Sequence, residues 1–314
     1  MSRRPQTISK IFFLRLNFFF FLLSRLQDDF IQAHNAKKDA TYTLGHNQFS
    51  HLSLDEWKEY VHLGLSKPEP TTLPSDVLTA PANLMSLPAS IDWTTKGGVT
   101  GVKDQGQCGS CWSFSATGAL EGAYYNKLGK LESFSEQNFV SCDNRSTGGK
   151  DKGCSGGLMD NAFDWAAKNG GVCTEAAYPY TSGVSKENGD CITTCSKVAA
   201  VAPKSHTDVQ TNSDSAMMTA LAKQPVAIAI EADQKAFQLY KSGVFTEACG
   251  TKLDHGVLAV GYGTLNGQDY YKVKNRYGPL PPSPHPPRPR LRLVCMHPFP
   301  FPRLIPPIPF FLSF

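Results

Sequence analysis

The strongest chemical pattern in the sequence is Gln105-Gly106-Gln107-Cys108-Gly109-Ser110-Cys111-Trp112-Ser113-Phe114. Trp112, Ala116, Ala119, Leu120 and Ala123 recur at helical spacing, so a helix over 111–126 is predicted with Cys111 at its first position. Unpaired N–H groups and the dipole at that end favour a thiolate over a thiol. Such a nucleophile needs a cation partner and a group that orients the partner. His255, in Leu253-Asp254-His255-Gly256, and Asn275, at the end of a later apolar strand, follow 144 and 164 residues downstream. In that arrangement His255 pairs with Cys111 and protonates a leaving amine, while the Asn275 side-chain oxygen accepts from the other ring nitrogen. Gln105, six residues before Cys111, aims its amide N–H together with the Cys111 backbone N–H at a developing oxyanion. Taken singly, each residue has a plain structural reading: a buried or disulfide-bonded cysteine, a hydrogen-bonded histidine, a turn asparagine.

These groups must be carried by elements that converge. Helices are predicted at 135–141 behind a Ser135 cap, at 158–168 stopped by Gly170, and near 214–223. Strands are predicted at 225–230, 256–260 and 270–274. Helices first and strands second give an α+β chain with a cleft between its halves. Upstream, 27–60 reads as helix, extended segment and helix, with Ser53 as an N-cap, and 64–86 reads as a linker without periodicity.

The chain has 314 residues, 41% of them hydrophobic and 18% charged, a foldable composition with room for two domains. Its net charge of +4 is uneven. Residues 1–26 carry five basic residues and no acid, and 279–314 carry four and no acid, which leaves 27–278 at −5. That excludes a nucleic-acid reading, which needs basic residues on the folded part. Nine cysteines point to an oxidising compartment and structural disulfides. Cys108 and Cys111 have C-x-x-C spacing, but no second C-x-x-C or H-x-x-x-H follows at a finger-like distance, which argues against zinc.

Both ends are unusual. The apolar run 11–23 after a basic start is signal-like, yet it is broken by Arg15 and Asn17 and lacks small residues for cleavage. The segment 279–314 holds thirteen of the twenty-two prolines and is expected to be a disordered tail without helix or central strand. At the nucleotide level 18–25 fits a pyrimidine tract ending in AG, and 275–278 fits a splice donor. Both ends are therefore expected to be translated intron, which mature transcript sequence tests.

Four ordered motifs carry a family resemblance: Cys108-Gly109-Ser110-Cys111-Trp112-Ser113-Phe114, Gly153-Cys154-Ser155-Gly156-Gly157, Asp254-His255-Gly256 and Val273-Lys274-Asn275. Together they resemble a papain-like cysteine peptidase of the cathepsin L type over about residues 27–275. The resemblance implies a papain-like two-domain fold, with a helical left domain at 87–200, a β-sheet or barrel right domain at 201–278, and the active-site cleft between. It assigns Cys111 as nucleophile, His255 as acid/base, Asn275 as orienter and Gln105 as oxyanion donor. It further implies disulfides Cys108–Cys154 and Cys142–Cys191. Cys173 and Cys195 lie outside the pattern as a candidate extra bridge, and Cys249 lacks its usual partner, for which Cys295 is a poor replacement. Leu158, Met159, Ala229 and Gly256 are expected to line an apolar S2 pocket, and the backbone of Gly156 and Gly157 to pair with substrate.

Residues 27–63 resemble the family's inhibitory propeptide, through Ile31-Gln32-Ala33-His34-Asn35 and Gly45-His46-Asn47-Gln48-Phe49-Ser50-His51, with His51 where the family usually has Asp. The linker 64–86 then leads to a maturation cut near 82–88. After Asn275 the family's Ser-Trp-Gly is replaced by Arg276-Tyr277-Gly278, and the strands that close the right domain are expected to be missing. The implied protein is a monomeric cysteine endopeptidase made as a zymogen, working without metal or cofactor and preferring a hydrophobic side chain at P2. Its implied partners are peptide and protein substrates, its own propeptide and cystatin-like inhibitors, in a lysosome, a vacuole or the extracellular space. The alternative is a catalytically impaired homologue or truncated product that binds peptides or inhibits relatives.

Overall fold

The computed structural model describes residues 23–62, 64–66, 75–79, 87–248 and 250–275, with two further strands at 292–294 and 310–313. The apolar run 11–22, Cys249 and Cys295 lie outside the described residues. Among the described residues no helix is long and apolar enough to cross a membrane.

The first half is helical. Helix α1 covers 23–35 and α2 covers Leu54–His62, with strand β1 (Tyr42–Leu44) between them. Strands β2 (Ser75–Leu78) and β3 (Ile91–Asp92) lead to the central helix α3 (Cys111–Leu128). Its first thirteen residues are all buried, as expected of a helix with no polar face. Two glycines permit that burial by close approach. A Cβ on Gly118 would sit 2.8 Å from Leu258, and one on Gly122 would sit 2.5 Å from Pro225. Helices α4 (Glu136–Cys142) and α5 (Met159–Lys168) complete the helical half. Ser135 caps α4 by accepting from the Asn138 amide at 3.0 Å.

Further along lie β4 (Val172–Cys173), α6 (Ser182–Ser185), β5 (Lys197–Val198), β6 (Ser205–Val209), α7 (Asp214–Lys223), β7 (Val226–Ile230) and α8 (Lys235–Gln238). Strands β8 (Tyr240–Phe245), β9 (His255–Leu265) and β10 (Gln268–Lys274) follow. Nine successive residues of β9 are buried, because helices cover it and sheet neighbours flank it. Such a strand reads as a continuous apolar run rather than an alternation.

The proline-rich tail was expected to be disordered, and the structure corrects that at its proline-free stretches. Strand β11 (Arg292–Val294) pairs antiparallel with β10 and parallel with β8, and β12 (Phe310–Ser313) lies between β6 and β7. Neither stretch lacks a backbone donor, so proline does not block the ladder there, and both cover edges that would otherwise be open. The linker likewise contributes β2, parallel to β6. The sheet runs β1-β8-β11-β10-β9-β7-β12-β6-β2, with β3 on β9, and β4-β5 forms a separate ribbon.

Among the described residues three disulfides are formed: Cys108–Cys154, Cys142–Cys191 and Cys173–Cys195. A buried ion cluster supports the helical half. Lys103 Nζ donates to Glu136 at 2.6 Å, to Glu121 at 3.3 Å and to the Phe134 carbonyl at 3.0 Å. Burial alone would lower the Lys103 ammonium, but Glu136 and Glu121 outweigh it and hold the group charged. Lys103→Ala leaves two buried carboxylates without their cation. The unfolding free energy from urea denaturation is expected to fall by about 3–5 kcal/mol; a loss below about 1 kcal/mol contradicts this reading.

Candidate active site

Cys111 is the first residue of α3 and is completely buried. Ser110, at the N-cap, makes no side-chain cap; its hydroxyl pairs with the Tyr180 hydroxyl at 2.7 Å. The helix dipole at this end therefore acts on the sulfur of Cys111. Among the described residues Cys111 is the one cysteine outside a disulfide.

The sheet brings the remaining groups to this point. Strand β7 pairs with β9 so that Ile230 faces His255 and Ala229 faces Gly256, which places His255 at the first position of β9. Asn275 follows β10 directly. His255 Nε2 and Asn275 Oδ1 lie 2.9 Å apart, both residues buried. An amide oxygen only accepts, so Nε2 is the donor and carries hydrogen. The Gly256 amide donates to Cys111 Sγ at 3.3 Å, and Ser115 Oγ donates to the Val257 carbonyl at 2.7 Å. Helix and strand are thus joined at two successive points.

Gln105 is buried beside this junction, but its amide nitrogen donates to the Cys108 carbonyl at 3.0 Å. Met159, Gly256 and Ala229 come together: a Cβ on Gly256 would lie 3.3 Å from Met159 Sδ and 3.4 Å from the Cys111 carbonyl. Leu158 is buried at the start of α5, its amide donating to Asp151 at 3.0 Å. Gly156 is engaged locally, its carbonyl accepting from the Lys152 amide at 2.9 Å. Gly157 is the glycine that pairs with an extended segment, and that segment is residues 64–66. Leu65 bridges Gly157 in parallel, and the Ser66 amide donates to the Gly157 carbonyl at 3.0 Å. A Cβ on Gly64 would stand only 2.0 Å from Cys111 Sγ. The stretch read as the start of a linker therefore lies directly on the thiol.

Upstream of it the chain is held on the sheet half. Strand β1 pairs antiparallel with β8, and Asn47 Nδ2 donates to the Gln238 carbonyl at 2.6 Å. Gln238 Nε2 in turn donates to the Phe49 and Leu52 carbonyls at 2.8 and 3.0 Å. Trp57 is completely buried and donates Nε1–H to the Ala232 carbonyl at 2.9 Å.

A family profile described as papain family cysteine protease matches residues 87–280. The chain belongs to the papain family of cysteine proteases. By family it is a cysteine-type endopeptidase, and its mixed helix and sheet architecture is the papain-like two-domain fold. The senescence-specific cysteine protease SAG39 of Oryza sativa subsp. japonica is 44% identical over 250 residues, spanning 79% of this chain and 71% of that protein. Recombinant stem bromelain precursor superposes with a TM-score of 0.76 at 30% identity, covering 99% of this chain and 94% of that one. Digestive procathepsin L 3 of Tenebrio molitor larval midgut gives 0.75 at 29% identity, covering 100% and 95%. The similarity to papain-family precursors accords with a pro segment bound to the protease domain.

One neighbour of the site, the first residue of the Asp254-His255-Gly256 motif, received no role from the sequence. Asp254 is buried, accepts from the Ala232 amide at 2.8 Å, and is pushed up to about 7, by burial first and then by Asp233 and Glu231. A carboxyl raised in the folded state contributes stability that is present below its unfolded pKa of about 4. That contribution is lost as pH rises through about 7. In a Cys111→Ala background, Asp254→Asn is expected to match its parent near pH 4 and to exceed it above pH 7 by about 3–4 kcal/mol in urea unfolding. Equal pH profiles for the two proteins would contradict the assignment.

Proposed function

We propose that this papain-family chain is a zymogen whose mature form hydrolyses peptide bonds through Cys111, His255, Asn275 and Gln105. The observation that carries the reading is the junction of α3 with β9, where the Gly256 amide lies 3.3 Å from Cys111 Sγ and the adjacent His255 is held by Asn275 at 2.9 Å. Cys111 Sγ, as thiolate, attacks the substrate carbonyl carbon, and the carbonyl oxygen becomes an oxyanion opposite the Cys111 backbone N–H and the Gln105 amide. The C–N bond breaks as His255 transfers its proton to the departing amine, leaving a thioester on Cys111. Water, deprotonated by His255, attacks the thioester, releases the acid and restores the thiolate. Asn275 keeps the imidazole in one tautomer throughout, much as the third member does in hydrolytic triads.

Substrate enters as an extended strand on Gly157, with Gly156 shaping the loop, and its P2 side chain meets Leu158, Met159, Ala229 and Gly256. In the zymogen that path is taken by 64–66. The corresponding organisation is a basic apolar N-terminal segment at 1–26, an inhibitory pro segment at 27–63, a linker at 64–86, a helical domain at 87–200, a sheet domain at 201–278 and a tail at 279–314. Peptide and protein substrates and cystatin-like inhibitors are the expected partners of a monomer placed in a vacuole, a lysosome or the extracellular space.

Labelling with an epoxysuccinyl inhibitor tests the mechanism. After pro-segment removal one adduct per chain is expected on Cys111 and none in Cys111→Ala; an unlabelled parent overturns the reading. The S2 assignment predicts that Met159→Glu lowers kcat/KM for substrates with leucine or phenylalanine at P2 by at least about tenfold relative to arginine at P2. An unchanged ratio would return Met159 to a packing role.

A further inference from the structure

A second buried cluster of ionisable side chains lies away from the thiol, where the helical half meets the sheet. Asp160 stands in the first turn of α5, directly after Met159, and is only 7% exposed. His206 and Asp208 are two apart on β6 and therefore share a face of the strand, with His206 only 1% exposed. One ligand atom from each of the three lies within 4.8 Å of the other two.

The cluster is short of positive charge. Asp160 Oδ1 and Asp208 Oδ1 are both buried without a hydrogen-bond partner. The cation near them on the helical side, Lys150, is bonded to Asp164 at 3.1 Å, one turn further along α5. Burial pushes the Asp160 carboxyl up, Asp208, Asp164 and Asp151 push it further, and Lys150 opposes them. Burial likewise raises Asp208 and lowers His206, against the attraction between the two. Buried carboxylates of this kind are ordinarily neutralised by a partner or by a metal ion.

Two carboxylate oxygens and one imidazole nitrogen are a donor set that suits a borderline divalent cation, with water completing the shell. Atoms spaced within 4.8 Å place their common centre no more than about 2.8 Å from each. Zinc bonds to such ligands are about 2.0–2.2 Å long. Each ligand therefore has to close by less than about 1 Å, within reach of a carboxylate rotation. We propose that Asp160, His206 and Asp208 form a divalent-cation site, suited to zinc, that clamps α5 to β6 across the junction of the two halves. The ion takes no part in peptide hydrolysis, and the proposal stands independently of the chemistry at Cys111. Because α5 begins at Met159, the clamp also fixes the end of the helix that faces the proposed S2 pocket.

The full-length chain carrying Cys111→Ala removes the reactive thiol as a competing ligand. Titrated with zinc chloride and followed by calorimetry and thermal unfolding, it is expected to bind one ion per chain. At a hundredfold excess over Kd its Tm should rise by about 5 °C. Asp160→Asn and Asp208→Asn, each added to that background, should weaken zinc binding by more than the about 10–100-fold typical of losing an outer partner, and should abolish the Tm response. Asp160→Asn keeps the side-chain shape and removes a buried carboxyl, so without zinc it should unfold at or above the temperature of its parent. That separates loss of a ligand from loss of the fold. No zinc-dependent shift in the parent, or an undiminished shift in both variants, overturns the site.

Discussion

The structure depends on one contact, the meeting of the start of α3 with the start of β9. The Gly256 amide reaches Cys111 Sγ, and one turn later Ser115 holds the Val257 carbonyl. Neither bond forms unless a buried helix and a buried strand approach closely along several residues. Gly118 and Gly122 supply that room, since a methyl group at either would collide with Leu258 or Pro225. A sulfur at a helix N-terminus is placed by backbone geometry and a histidine at a strand start by sheet register, so two rigid elements define their separation. Asn275, arriving from the neighbouring strand, then fixes the ring.

The segment upstream of the protease domain, the proposed pro segment, uses the same architecture. It adds β1 to the edge of β8, buries Trp57 against the Ala232 carbonyl, and continues as an extended stretch over the thiol. Gly64 is the residue that passes over Cys111, and only a residue without a side chain fits there. On the proposed zymogen reading, inhibition by this route works through occupation of the strand position on Gly157 and needs no reacting group on the upstream segment. Asp254 sits where these contacts converge, bonded through the backbone to Ala232 and adjacent to His255, so its ionisation bears on the stability of the seam.

Much of this was legible because strong local signals agreed with the tertiary structure. The helix from Cys111, the Ser135 cap, the helix after Leu158 and the strands at β7 and β10 lie within two residues of their predicted limits, as expected where periodicity, caps and breakers coincide, while β9 runs on to Leu265, past its predicted end at 260. What the sequence concealed was long-range pairing without local pattern. Leu65 forms an isolated bridge only because Gly157 offers a partner, β2 forms only because β6 is there, and β11 and β12 only because prolines frame rather than interrupt them. The position of the Gln105 amide on the Cys108 carbonyl is a matter of rotamer, which spacing does not encode. Asp160, His206 and Asp208 carry no motif at all; the second lies 46 positions after the first, and only the tertiary fold brings their side chains together.

In the proposed mechanism the sulfur is kept reactive by its place on α3 and by the imidazole of His255. The rate of Cys111 alkylation by iodoacetamide, followed from pH 4 to pH 9 in the processed parent and in His255→Ala, measures this directly. The parent is expected to remain reactive well into the acid range, while the variant loses that acid limb and reacts only as pH approaches the ordinary thiol range. Superimposable profiles would mean that His255 does not act on Cys111.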